Sequence, residues 1–172
     1  MSRALIVVDY QTDFVTGSLG SPAAVSIEEN IVSKIEEYLG RKERIFFTMD
    51  THDAGYLRTD EGIRIPAEHC IKGTPGWHIF GNAAKYLDRG ETIEKSTFGS
   101  LDIIGPLKGF DEIELCGVAT NICVMVNALI LKTAYPDAKV IIDPDCVASY
   151  DGDLHRKALE IMKAASIDIL SK

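Results

Sequence analysis

Positive charge is scarce in this chain: 18 Lys and Arg stand against 26 Asp and Glu, a net charge of −8. The basic residues are scattered, so the stripe or patch that draws a protein to nucleic acid or to an anionic membrane surface is missing. Long apolar runs are missing too, since stretches such as Ala4 to Val8 fall far short of the roughly 20 residues that cross a bilayer. The opening Met1-Ser2-Arg3 has no apolar signal-peptide core behind it, which makes a cytoplasmic location the expectation. Cysteine is limited to positions 70, 116, 123 and 146, with no Cys-x-x-Cys and no zinc-knuckle spacing. Disulfides are not expected in such a chain, and four thiols are first of all four buried apolar residues unless position says otherwise.

What is present is an ordinary folding composition, 46% hydrophobic and 26% charged. At about 150 residues per domain, the 172 residues make one domain, taken as 1–172. Short β-branched runs recur at Arg3–Val8, Arg44–Thr48, Glu91–Glu94, Glu112–Cys116, Lys139–Ile142 and Ile167–Leu170. Each has the length of a buried strand. Helical patterns separate most of them. Ile27, Ile31, Ile35 and Leu39 form one stripe, with Ser26 and Glu29 in capping-box register and Gly40 as the stop. Further helices are expected over Ile79–Leu87, over the mostly apolar Asn121–Ala134, which should lie deep in the core, and around Leu154–Ala165, capped near Asp151 or Asp153. Strands alternating with helices predict a three-layer α/β fold around a mainly parallel, Rossmann-like sheet of about six strands. The one long irregular stretch, Asp50 to Trp77, is of a kind that compact domains keep for function.

Ligands in such sheets bind at the carboxyl ends of the strands. Asp9 ends the first strand, Asp50 and His52 follow the second, Lys95 follows the third, and the turn Gly117–Asn121 leads from the fourth to Cys123. Alone, each is equally a turn cap, a strand-end charge or a core thiol; together they put two carboxylates, an imidazole, an amine and a thiol on one rim. Cys123, in the first turn of a helix, is the best placed nucleophile of the four cysteines, because free N–H groups and the helix dipole favour a thiolate there. Lys95 would steady that thiolate and developing negative charge, and Asp9 would carry the proton. Asp50 and His52, two apart on extended chain, can turn both side chains to one metal ion.

The set Asp9-Tyr10-Gln11-Thr12-Asp13-Phe14, Lys95, and Gly117-Val118-Ala119-Thr120-Asn121-Ile122-Cys123-Val124 resembles the isochorismatase-like cysteine hydrolases, in their nicotinamidase/pyrazinamidase branch. The likeness runs along essentially the whole chain, with Asp151 and His155 in a tail similar to the family's last loop and helix. It implies a triad of Asp9, Lys95 and Cys123, a cis peptide between Val118 and Ala119, and an oxyanion hole made by the Ala119 and Cys123 N–H groups. Pro66, His69, Cys70, Gly73 and Thr74 also match the family's metal segment, which implies one divalent ion on Asp50, His52 and His69, with Glu61 as the fourth ligand. Zinc leads for this mixed set, with manganese and iron as alternatives. Phe14 and Trp77 are the candidate pocket walls for a flat heteroaromatic ring.

The implied activity is hydrolysis of a small carboxamide, nicotinamide to nicotinate and ammonia first, which would place the chain in NAD salvage. The partners implied are that amide substrate and other copies of the chain in a homo-oligomer, with no nucleic acid and no membrane. Three positions depart from the family pattern: Thr51 where Trp is frequent, Asn121 where Asp is common, and the short Ser96–Ser100 where relatives carry a longer segment after the lysine. These leave a related hydrolase of another amide, ureido compound or vinyl ether as the second reading. A non-enzymatic small-molecule binder is the third, although Gly17-Ser18-Leu19-Gly20 is neither a dinucleotide nor a phosphate loop.

Overall fold

A computed structural model of the chain describes residues 1–171. Six strands, β1 (Arg3–Val8), β2 (Arg44–Asp50), β3 (Glu91–Lys95), β4 (Glu112–Val118), β5 (Lys139–Ala148) and β6 (Asp168–Ile169), form one sheet in the order β3-β2-β1-β4-β5-β6. Every neighbouring pair is parallel. The almost unbroken burial along β1, β2 and β4, which in β4 includes Glu112 and Glu114, is that of strands covered on both faces.

The side-chain alternation of β1 sorts the molecule into layers. Ala4, Ile6 and Val8 pack against Val124, Ala128, Leu131 and Met162 on one face, while Leu5 and Val7 pack against Ala24, Ile31, Ile35 and Tyr38 on the other. The first face is covered by α5 (Met125–Ala134) and α6 (Gly152–Ala164), and the second by α2 (Pro22–Ser26) and α3 (Glu28–Gly40). Two short helices, α1 (Thr12–Val15) and α4 (Asp60–Arg64), complete the rim. The expected three-layer α/β architecture is what the chain adopts.

Several local expectations need correction. Ser26 and Glu29 form no capping box. Ser26 closes α2 and donates to the Ala23 carbonyl at 2.8 Å, α2 itself being capped by Ser21, so the chain passes into α3 through Ile27 without a side-chain cap. Residues Gly81–Arg89 form a 3₁₀ helix where an α-helix over Ile79–Leu87 was expected. Gly81, at φ 56°, sets the start, and Ile79 stays extended in a bridge with Gln11. The helix read over Asn121–Ala134 divides into a π turn at Thr120–Val124 and then α5. It is only half in the core: Ala128 and Leu131 are buried, whereas Val126, Leu129 and Ile130 are half-buried. The stretch Asp50–Trp77 contains α4 and two short 3₁₀ turns, Tyr56–Arg58 and Pro75–Trp77.

β1 and β4 lie side by side although two strands separate them in sequence, so the order of connection reverses between them. Such a switch point opens a crevice at the carboxyl ends of the strands. Gly117 keeps the crevice tight, because at φ 112° a Cβ there would lie 2.1 Å from the Val8 carbonyl oxygen.

Candidate active site

Asp9, Asp50, Lys95 and Cys123 are all delivered to that crevice by adjacent strand ends. Asp9 follows β1 with φ 46°, a left-handed conformation that Asp tolerates better than most residues. Asp50 and Lys95 are direct register partners at the ends of β2 and β3. The Val118–Ala119 peptide is cis and leads into the π turn that carries Cys123.

Lys95 is the hub. Its Nζ lies 2.6 Å from Asp9 Oδ2, 3.3 Å from Asp50 Oδ1 and 3.8 Å from Cys123 Sγ, and it donates to the Thr97 carbonyl at 2.9 Å. Burial on its own would lower the Lys95 pKa, but Asp9, Cys123 and Asp50 outweigh it and raise the group, which therefore stays an ammonium. Asp9 is fully buried, and its Oδ1 accepts from Thr48 Oγ1 at 2.7 Å. Desolvation raises the Asp9 carboxyl while Lys95 and Thr48 pull it down. Burial pushes the Cys123 thiol well above the ordinary range, the neighbouring Asp9 carboxylate adding to this and Lys95 opposing it. That burial works against the thiolate expected at a helix start. Cys123 sits in a π turn ahead of α5, and desolvation there dominates.

Beside this trio, Asp50, His52, Glu61 and His69 each point one donor atom into a common space, all four within 4.8 Å of one another. His52 Nε2 and His69 Nε2 approach the same oxygen, Asp50 Oδ2, at 3.0 and 3.4 Å, and both lie 3.7 Å from Glu61 Oε1. The Ala67 carbonyl takes the other nitrogen of His69, Nδ1, at 2.8 Å, which orients the ring and turns Nε2 toward the two carboxylates. Two imidazoles and two carboxylates that converge on one space make a mixed nitrogen and oxygen donor set that fits a divalent metal ion. Asp50 serves both centres, with Oδ1 toward Lys95 and Oδ2 toward the imidazoles. Burial would raise the Asp50 carboxyl, yet bonds from His52 and His69 and the charge of Lys95 carry it well below the usual carboxylate range.

Three polar residues that the sequence did not single out hold the site. Gln11, fully buried, accepts from the Asp50 N–H at 2.8 Å and donates to the Asp50 and Trp77 carbonyls at 2.9 and 2.7 Å. Asp13 accepts from the Cys70 N–H at 2.8 Å, next to His69. Tyr56 packs on both His52 and His69 and donates to the Ile65 carbonyl at 3.1 Å, and burial together with Glu61 pushes its phenol up to about 12. Gln11 and Asp13 belong to the Asp9–Phe14 motif, and that was the available signal; Tyr56 had none.

Two cavities flank the site. One of about 370 Å³ has Phe14, Leu19, Ile65, Ala119, Ile122 and Tyr150 in its wall, and the Phe14 ring also contacts His69. The other, about 470 Å³, opens over His52, Tyr56, Glu61, Thr97 and Phe98. The Trp77 indole N–H donates to Thr51 Oγ1 at 2.9 Å, and Lys72 lies over its ring. Thr51, standing between Asp50 and His52, is thereby tied to the Trp77 side chain. Asn121 accepts from Ser149 Oγ at 2.6 Å, and His155 Nδ1 pairs with Thr120 Oγ1 at 2.9 Å, so both brace the π turn.

Residues 3–172 match the family model of the isochorismatase domain. The chain belongs to the isochorismatase family. It is 31% identical to an isochorismatase family protein, PncA, of Bacillus subtilis over 92% of this chain and 93% of that protein. It is 30% identical to the nicotinamidase/pyrazinamidase of Mycobacterium tuberculosis over 98% of each chain. The crystal structure of the pyrazinamidase of Pyrococcus horikoshii in complex with zinc shares 27% identity and superposes with a TM-score of 0.87, covering 100% of both chains. The sheet order and the crevice described above are therefore the family's fold. No described helix is long and apolar enough to cross a membrane.

Proposed function

We propose that this chain is a metal-dependent cysteine amidohydrolase that converts nicotinamide to nicotinate and ammonia. The broader statement, a hydrolase of amide C–N bonds, rests on its family and on the nicotinamidase relatives. The observation that carries the finer reading is the position of Lys95 Nζ, 2.6 Å from Asp9 and 3.8 Å from Cys123 Sγ, directly beside a four-residue metal group.

Cys123 Sγ attacks the amide carbon as its proton passes to Asp9, the carboxylate that shares Lys95 Nζ with it. A thiol whose pKa burial raises needs such an acceptor at the moment of attack, and Lys95 offsets the charge that appears on sulfur. The oxyanion is received by the Ala119 and Cys123 N–H groups. Asp9 returns the proton to the departing ammonia, then takes one from the water that cleaves the Cys123 thioester and regenerates the thiol. Asp50, His52, Glu61 and His69 would hold the divalent ion, zinc first, which supplies a Lewis acid to anchor the substrate's ring nitrogen and orient the amide. Phe14 and Ile65 offer the apolar wall that a neutral heteroaromatic ring requires.

The test is metal analysis of the purified protein together with an ammonia-release screen over nicotinamide, pyrazinamide and aliphatic amides. One divalent ion per chain and turnover of the two aromatic amides are expected. Bound metal with no aromatic amide turned over would remove the nicotinamidase reading and leave only the broader hydrolase.

A further inference from the structure

Asn127 is out of place in its helix. It is fully buried on α5 among apolar neighbours, one turn beyond Cys123. Its side chain spends its hydrogen bonds on two separate pieces of the site. Nδ2 donates to the Cys123 carbonyl at 2.8 Å and lies 3.5 Å from the Phe98 carbonyl, while Oδ1 accepts from the Ser100 N–H at 3.0 Å. The opposite amide orientation would set an oxygen against two carbonyls and an NH₂ against an N–H, so the network admits one arrangement.

The segment it grips is the short one that follows Lys95. There the Thr97 carbonyl accepts from Lys95 Nζ at 2.9 Å, and Thr97 Oγ1 closes the turn on the Gly99 carbonyl at 2.7 Å. Gly99 lies so close to α5 that a Cβ would meet Val126 and Ile130 at 2.5 and 2.7 Å. One amide therefore bridges the backbone of the nucleophile to the loop that orients the ammonium.

The geometry points to Asn127 as a positioning residue that sets the separation of Lys95 and Cys123, an inference that rests on the proposed roles of those two groups. It touches neither substrate nor reacting atoms and acts through the two backbones it joins. Two substitutions divide its contacts. N127D keeps an acceptor for the Ser100 N–H and loses both donors. N127S keeps a hydroxyl that can reach the Cys123 carbonyl four residues back and loses the loop.

Both variants are made in the full-length, zinc-loaded protein, with metal content and melting temperature measured first. With nicotinamide, N127D is expected to lose about 100-fold in kcat while KM stays within about twofold, the size of effect that misplacing a catalytic group produces. N127S is expected to fall between N127D and the parent. A second readout needs no substrate: the rate of iodoacetamide alkylation at Cys123, mapped by peptide mass spectrometry, is compared with and without K95M. In the parent, K95M should slow alkylation about tenfold, and in the N127D background by less than about twofold, because the ammonium no longer stands at the thiol. If N127D does not fold, N127S enters the same cycle. The same K95M factor in both backgrounds, or a kcat for N127D within twofold of the parent, would overturn the inference. A parent without amide turnover counts against the amidohydrolase reading instead, and the alkylation cycle then decides on Asn127 alone.

Discussion

Replacing Cys123 by alanine is expected to lower nicotinamide turnover on the order of 10⁵-fold, with the fold and the bound metal retained. The size follows from the way a nucleophile and its proton acceptor work as one unit, so that losing the nucleophile costs nearly the whole chemical acceleration. Asp9 and Lys95 remain 2.6 Å apart in the variant, yet no atom is left to form the acyl intermediate. Structural damage should be small, because a single sulfur leaves the edge of a core cluster and the π turn is still braced by Asn121, Ser149, Thr120 and His155. Melting temperature, zinc content and ammonia release measured on one preparation check this. Activity within tenfold of the parent would show that Cys123 is not the nucleophile.

Stripping the metal with a chelator is expected to reduce turnover by more than about 100-fold, beyond the loss typical of removing a residue that merely supports a ligand. The same treatment should lower the melting temperature, since an ion that binds only the folded chain stabilises it by mass action. The physical cause is the crowding of the donor set: two imidazole nitrogens lie 3.0 and 3.4 Å from one carboxylate oxygen, with Glu61 Oε1 3.7 Å from each. Asp50 also touches Lys95, so relaxation of the metal group reaches the nucleophile's partner. Adding back zinc, manganese or iron should restore turnover to different extents, and that order reports the ion the site prefers. Full activity in the stripped protein, verified free of metal, would contradict a role for the ion.

The sheet was legible because β1 and β2 are mostly apolar along their length, the pattern of strands covered on both faces, and β4 follows the same way beyond Glu112 and Glu114. Asp9 and Asp50 were legible as charges ending the first two runs, and Lys95 as the last residue of a third, more polar strand. Other features depend on tertiary contacts that no local pattern announces. His69 reaches His52 across a loop, held by the Ala67 carbonyl and the Tyr56 ring, and Glu61 reaches both from α4. Ser26 had the spacing of a capping box, but Ser21 and Pro22 start a helix earlier and consume the turn. The bond from the Trp77 indole N–H to Thr51 likewise joins residues 26 apart, beyond what a local pattern can show. For the Cys123 thiol, position on a helix gives the sign of the dipole, whereas burial, which acts against the thiolate, depends on everything packed around the sulfur.

The central claim is that nicotinamide is cleaved through a thioester on Cys123. The most direct test is intact-protein mass spectrometry of the zinc-loaded enzyme, acid-quenched during turnover, with peptide mapping of any adduct. The account predicts one nicotinoyl group, carried on Cys123 and absent from C123A. Steady release of ammonia by an enzyme that never carries the acyl group, or carries it equally in C123A, would contradict it.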